Sequence, residues 1–433
     1  MESLQMRWME CPLLDAAGAV LHPPSGSDDD DDPIDLLNQR EGHCSAVVYP
    51  AGFVDVSAAS PRKSWVLVCG GYTNGSVSPI PLVAPTALLP ALQWVRLPPV
   101  DALECDGATL TTVVSAVDIE AISGPITAAS ASAHICTTAA TVAYLFGGLD
   151  ADTNRRNTLY AVSLHVDADV TPVMVQVTEV QCTGTLPEAR VRHGAGGHAG
   201  RLYIFGGETD TQEQSSDLYV CDVRTGVWRA LASSSTLPSP APRLLSLSLL
   251  FVAPTTFVLY GGSHFVKGNM HSFADVWSFD LTTEAWSAMV PPVADDGPPR
   301  GEEWRADAPQ RVLSPSNGHA GGVIALRSSE SGTYMCAAFL GGKNVSEGDD
   351  TVKLVCPHLE AQTMEVGALS ATPAMGSGKL PHWRYTPAVV NTEKGLLLLA
   401  GQCRHPQTPS AFLLTVSAGE GEGGCVSLPS AAS

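Results

Sequence analysis

Three sets of residues in this chain could do chemistry. A glycine-rich run, "RHGAGGHAGRLYIFGGETD" from Arg192 to Asp210, could cradle a phosphate. His43, His134, His193, His198 and His319 could ligate a metal. Arg40, Arg192, Arg243 and Arg384 could hold carboxylates through bidentate hydrogen bonds.

The first two possibilities fail on spacing. A dinucleotide-binding loop must follow a strand and open a helix, whereas "GAGGHAG" runs straight into the apolar segment "RLYIF". No GxxxxGK[ST] motif occurs, and "GGKN" at Gly341 offers a lysine without a phosphate cradle. The histidines recur at or near the first strand of the repeats, with no HExxH motif and no close His/Cys/Asp cluster, so they read as packing or turn residues. Neither a metal nor a cofactor is expected, and no Ser-His-Asp triad or carboxylate pair can be assigned.

The elements that must position these residues form a repeat. An apolar run ending in a glycine doublet recurs as "WVLVCGG" (Gly70, Gly71), "VAYLFGG" (Gly147, Gly148), "RLYIFGG" (Gly206, Gly207), "TFVLYGG" (Gly261, Gly262) and "CAAFLGG" (Gly341, Gly342), with a degenerate "LLLLAGQ" at Gly401. Before each lies a second small-and-apolar segment, such as "GHCSAVVYP", "AHICTTAAT" or "NGHAGGVIAL". Each pair reads as two strands and a turn. Downstream, "DLYVCDVRTGVW" and "DVWSFDLTTEAW" supply a third strand and a fourth opened by tryptophan. Tyr219 to Trp228 and Trp277 to Trp286 are both nine residues apart.

One four-stranded unit cannot bury both of its faces, but six packed around an axis can. The apolar strand before the doublet would then be buried on both faces, and Trp94, Trp228 and Trp286 would fill wedges between neighbouring units. These features together resemble the Kelch repeat family. The resemblance is fullest in the third and fourth copies; the last two lack the tryptophan.

The resemblance implies an all-β, six-bladed β-propeller of four-stranded antiparallel blades, occupying residues 1–433 as one domain. Approximate blade cores are 40–98, 132–181, 190–232, 243–290, 317–367 and 383–429. Such rings usually close by completing one blade from both chain ends. "MRWMECPL", Met6 to Leu13, carries Trp8 in the manner of an outer strand and is expected to complete the sixth blade; the alternative edge strand is Gly424 to Leu428. Residues 22–39 read as an acidic flexible loop and 291–316 as a Pro-rich inserted loop, whose Trp304 either tucks onto the propeller or touches a partner.

Composition narrows the partner. With 24 Lys plus Arg against 44 Asp plus Glu, the net charge of −20 repels nucleic-acid phosphate, and no basic cluster offsets it. No signal-peptide pattern opens the sequence and no run approaches a membrane span, so a cytoplasmic monomer without membrane contact is expected. The 11 cysteines, scattered without a CxxC and several within apolar runs, read as reduced, buried thiols.

In Kelch propellers that capture peptides, the residue after the doublet and the start of the first strand line one mouth of the channel. Carried onto this chain, the first set is Tyr72, Leu149, Glu208, Ser263, Lys343 and Gln402. The second is Arg40, Arg192, Arg243 and Arg384. Those arginines either form an electropositive mouth suited to an acidic peptide or pair with acids of neighbouring blades. The loops beyond the doublets add Asp150, Asn154, Arg155 and Arg156, and His264, Phe265, Lys267 and Asn269. The expected function is a non-catalytic protein-binding module or scaffold. The alternatives are a propeller enzyme or small-molecule binder using the central channel, since some Kelch-like propellers are enzymes, and a propeller held in a complex by its insertions.

Overall fold

The computed structural model describes residues 5–20, 37, 40–50, 64–73, 75–113, 142–231, 239–244, 247–290, 313–328, 332–344, 347–348, 351–358, 363–369, 372–373, 381, 384–402 and 411–417. They are nearly all β, arranged as six small antiparallel sheets in a ring. Blade 1 runs outward through Cys44–Val48, Trp65–Cys69, Leu82–Pro85 and Val95–Arg96. Blade 3 runs through Gly194–His198, Arg201–Phe205, Leu218–Asp222 and Val227–Leu231. Blade 4 uses Leu250–Ala253, Thr256–Tyr260, Val276–Asp280 and Ala285–Val290. Blade 5 uses Asn317–Ser328, Gly332–Asn344, Val352–His358 and Thr363–Leu369.

The N-terminal segment closes the ring. Gln5–Glu10 lies antiparallel to Ala411–Ser417 and is the fourth strand of blade 6, outside Ala388–Thr392 and Gly395–Leu399. It also supplies the tryptophan that the sixth copy lacks. Residues 424–428 and Trp304 lie outside the described residues, as do 22–36, 38–39 and 291–312.

Blade 2 differs from the sequence reading. Its inner strand is Thr109–Thr112, paired with Ala143–Phe146 and followed outward by Leu159–Val166 and Pro172–Glu179. The segment 132–141, expected in that place, lies outside the described residues. The inner strand begins after "CDGA", which has neither the arginine nor the histidine of the other lead-ins.

Each doublet fastens one blade to the next. The backbone N–H of Gly71 donates to Cys105 O, Gly148 to Arg190 O, Gly207 to Arg243 O, Gly262 to Ser316 O, Gly342 to Arg384 O and Gly401 to Arg40 O, at 2.6 to 3.0 Å. Those six bonds complete the circle. Both residues of every doublet have positive φ, and in the degenerate copy Ala400 takes this conformation at 46°. A Cβ on Gly70 would lie 2.3 Å from Cys105 O, and one on Gly148 2.7 Å from the Ala108 methyl. Only glycine admits the neighbouring backbone without strain.

The apolar core is divided into six wedges, one per blade junction. Trp94 of blade 1 packs with Leu397, Leu399 and Leu413 of blade 6. Trp228 of blade 3 meets Phe146 and Leu159 of blade 2, and Trp286 of blade 4 meets Phe205 of blade 3 at 5.1 Å between ring centroids. Trp8 of blade 6 packs on Ala338, Leu340 and Leu354 of blade 5. Every outer-strand tryptophan thus seals its blade against the preceding one, and each such burial removes about 150–250 Å² from water.

One cysteine expectation is corrected. Cys336 and Cys356 form a disulfide between the second and third strands of blade 5, where the register sets them opposite each other at 4.4 Å between Cα atoms. Local sequence placed both in apolar runs and concealed their pairing. Cys11, Cys44, Cys69, Cys105 and Cys221 are buried free thiols. Among the described residues, no helix is long and apolar enough to cross a membrane.

Candidate binding face

The chain enters every blade on the face where the doublets turn, and the residue after each doublet is bridged to a lead-in residue. The pairs are Glu41 with Tyr72, Asp106 with Leu149, Val191 with Glu208, Leu244 with Ser263, Asn317 with Lys343 and Tyr385 with Gln402. The six post-doublet residues therefore do share one face. Their partners, however, are not the arginines expected from sequence.

Arg40, Arg243 and Arg384 are 0%, 0% and 2% exposed. Each is one residue too early and aims inward, where it donates to the carbonyl of its own blade's doublet: Arg40 Nε to Gly70 O at 2.6 Å, Arg243 Nη1 to Gly261 O at 2.9 Å, and Arg384 Nη1 to Ala400 O at 3.1 Å. Their equivalent in blade 3 is Arg190, bound to Gly206 O at 2.8 Å, and not Arg192. Arg243 adds a buried bidentate pair with Asp275 at 2.7 and 2.9 Å. The spacing Arg-x-x-His, shared by Arg40–His43 and Arg190–His193, was the available signal for this register.

The histidines are explained by the same geometry. His43, His193 and His319 lie beneath the second glycine of their own blades, so that a Cβ on Gly71, Gly207 or Gly342 would come within 2.6 to 2.9 Å of a histidine Cβ. Burial pushes His43 and His193 down to about 3, with a neighbouring arginine charge adding to the effect. His198 stacks on Phe251 at 4.7 Å, and His134 lies outside the described residues. Among the described residues no three metal-binding side chains come together.

Two residues after the inward arginine position, the chain forms a collar about the axis. Gly107 N donates to Gly42 O at 2.8 Å, Arg192 N to Gly107 O at 2.9 Å, Thr386 N to Gly318 O at 2.7 Å, and Gly42 N to Thr386 Oγ1 at 3.3 Å. These bonds join five of the six blades. Neighbours linked by backbone bonds have Cα atoms about 5 Å apart, so the described lead-ins approach one another closely around the axis. The positions require positive φ: Gly42, Gly107 and Gly318 occupy three, but Arg192 sits at 55° and Thr386 at 50°.

Side chains of mixed sign crown the collar. Burial raises the Asp106 carboxyl, opposed by the Arg192 charge and reinforced by Glu41. The Tyr385 phenol is raised by burial and feels the same two charges, so Glu41, Asp106, Arg192 and Tyr385 lie within electrostatic reach of one another. The Lys343 ammonium lies 3.9 Å from the Tyr385 ring centroid. Glu41, Asp106 and Tyr385 carry no motif of their own in sequence, because each takes its place on the face only through a one-residue bridge to the post-doublet position.

The remaining expected residues separate into rim and support. Tyr72 (44% exposed), Arg192 and Gln402 stand on the surface. Arg155 pairs with Glu208, tying the loops of blades 2 and 3 together. Arg156 is turned to the preceding link, donating to Ala102 O and Glu104 O at 3.1 and 3.0 Å, and Ser263 is buried. The loop beyond Gly262 is a hairpin, Ser263–Val266 with Asn269–Ser272, bearing Lys267 at its turn and Phe265 49% exposed. The His264 ring packs 4.8 Å from Phe273 and holds its base.

The ring of six blades, closed by a strand from the opposite chain end, makes this protein a six-bladed β-propeller. Over residues 106–306 its repeats match the KLHDC2/KLHL20/DRC7 Kelch-repeats domain. Over 108 residues the chain is 30% identical to an N-(sulfonatooxy)prop-2-enimidothioate sulfolyase of Thlaspi arvense, covering 25% of this chain and 29% of that protein. Over 142 residues it is 28% identical to the Rho GTPase-activating protein gacHH of Dictyostelium discoideum, covering 31% of this chain and 8% of that protein. The chain thus spans less than a third of either relative.

Proposed function

We propose that the chain is a non-catalytic protein-interaction module or scaffold of the cytoplasm that receives its partner on the doublet face. The observation that supports this reading is the gathering of six post-doublet residues around a narrow collar, with Tyr72, Arg192, Phe265, Lys267 and Gln402 exposed on one side. Rigid blades holding variable loops suit recognition. Because Glu41, Asp106 and Glu208 share the face with Arg192, Arg155 and Lys343, the surface that complements it carries both signs, and the acidic peptide segment suggested by the arginines becomes in this reading a segment that also carries basic residues.

The test is affinity purification with quantitative mass spectrometry of wild type, a Tyr72→Ala, Arg192→Glu, Phe265→Ala variant, and a control changed on the opposite face at Arg224→Glu. The mouth variant is expected to lose the principal partners that the control retains. Equal recovery by all three would overturn the reading.

The partial likeness to a sulfolyase favours a second reading, catalysis at the same mouth. Release of sulfate from N-(sulfonatooxy)prop-2-enimidothioate, abolished by Asp106→Asn, would establish it; wild type no faster than buffer would reject it for that substrate.

A further inference from the structure

The outer strand of blade 2, Pro172–Glu179, is an eight-residue edge on which no strand lies among the described residues. Other blades cover this edge with a two-residue parallel strand from the link that arrives from the preceding blade. Thr183–Gly184 lies on Val227–Trp228 of blade 3, Thr372–Pro373 on Arg7–Trp8 of blade 6, and Leu13–Leu14 beside Leu92–Gln93 of blade 1. For blades 4 and 5 the arriving link lies partly or wholly outside the described residues.

In blade 2 the arriving link is held elsewhere. Leu97 N donates to Pro81 O and Val100 N to Pro79 O, both at 3.0 Å, and the Arg156 guanidinium fixes Ala102 and Glu104. The edge also lacks the usual protection of a lysine or an interior proline. No Lys or Arg occurs between Arg156 and Arg190, and Pro172 guards only the first position. Val175 and Val177 pack on the wedge shared with blade 1, while Val173 and Met174 stand 45% and 47% exposed.

We infer that this edge is a self-association surface, on which a second copy of the chain adds its own Pro172–Glu179 strand antiparallel about a two-fold axis. Charge selects the register. A two-fold perpendicular to the sheet pairs residues of like parity, so its centre falls on one residue. Centred on Met174, it would set Asp169 directly against the second copy's Glu179; centred on Val175, it would make them diagonal neighbours, still within repulsive reach. Centred on Gln176, it places Gln176 against Gln176, Val175 against Val177 and Met174 against Thr178, with the Asp167–Asp169 turn beyond the partner strand's end. This register sets no like charges opposite each other, stacks amide on amide, and pairs β-branched residues that suit a pleated surface. A single strand edge is a small interface, so the association is weak and concentration-dependent.

This inference is independent of the partner reading of the doublet face. Its test is sedimentation equilibrium of the full chain from about 1 to about 100 µM, the range suited to a weak interface. Wild type is expected to approach twice its monomer mass, and Met174→Lys and Gln176→Pro each to weaken association at least about tenfold. Under oxidised glutathione, Gln176→Cys is expected to cross-link as a dimer far faster than Val173→Cys, because paired Cα atoms at the two-fold fall within disulfide reach. Three results would overturn it: a monomer throughout, as when another segment of the same chain covers the edge; a dimer that Met174→Lys leaves intact; or equal cross-linking at both positions.

Discussion

The inward arginines give the sharpest test of how this ring is held. Arg243 and Asp275 have side chains 0% and 1% exposed, so their pair is shielded from water. Arg243 also donates to Gly261 O and to Ala241 O at 2.9 Å, and its guanidinium carbon lies 3.9 Å from the Phe273 ring centroid. Arg243→Met removes those bonds and leaves the Asp275 carboxylate, among the described residues, with the Trp277 indole N–H at 2.7 Å as its side-chain donor. Breaking one side of a buried pair costs about 3–5 kcal/mol. With a urea m-value of about 3 kcal/mol/M, the transition should fall by about 1–1.7 M. In Arg243→Met with Asp275→Leu, no orphaned charge remains, and most of the loss should be recovered. Urea titrations followed by tryptophan fluorescence measure all three proteins. An unchanged midpoint in the single variant would refute an internal role for Arg243, and a double variant less stable than the single would refute the cause assigned to the loss.

Three further outcomes follow from the same geometry. Gly207→Ala places a Cβ 2.8 Å from Val191 O at φ 89°, and should cost about 3 kcal/mol in urea titration from strain plus overpacking. Arg192→Gly relieves about 1–2 kcal/mol of left-handed strain against about 0.5–1 kcal/mol of added chain entropy, so stability should hold or rise by up to about 1.5 kcal/mol while partner recovery falls. His43 and His193, held near 3 when folded, should make stability fall as pH drops below about 6.5, where the unfolded histidines take up protons. The loss should reach about 1.4 kcal/mol per pH unit per histidine and taper towards pH 3; His193→Gln should show a shallower slope in urea titrations across this range.

The architecture was readable because its demands are local. A doublet that must turn with positive φ against a neighbour's carbonyl leaves glycine at fixed places, and a wedge-filling outer strand leaves tryptophan nine residues beyond an aromatic. Even Trp8 declared its place as a fourth strand. The inner strand of blade 2 was hidden because Cys105 and Ala108 replace the arginine and histidine that mark other lead-ins. For the candidate face, sequence named the right loops but the wrong charges: nothing in the letter Arg says whether a guanidinium points to solvent or to a carbonyl in its own blade. The paired Cys336 and Cys356 were hidden for a related reason, since register across strands is a property of the folded sheet.

The six bonds from doublet to neighbouring carbonyl have a consequence for connectivity. Because they form a closed cycle, no junction is structurally first or last; the chain's own ends merely interrupt the covalent path within blade 6. Joining those ends and cutting the chain between any two blades should therefore give a permuted protein with the same ring, since backbone continuity at a junction duplicates what the hydrogen bond and the wedge already secure.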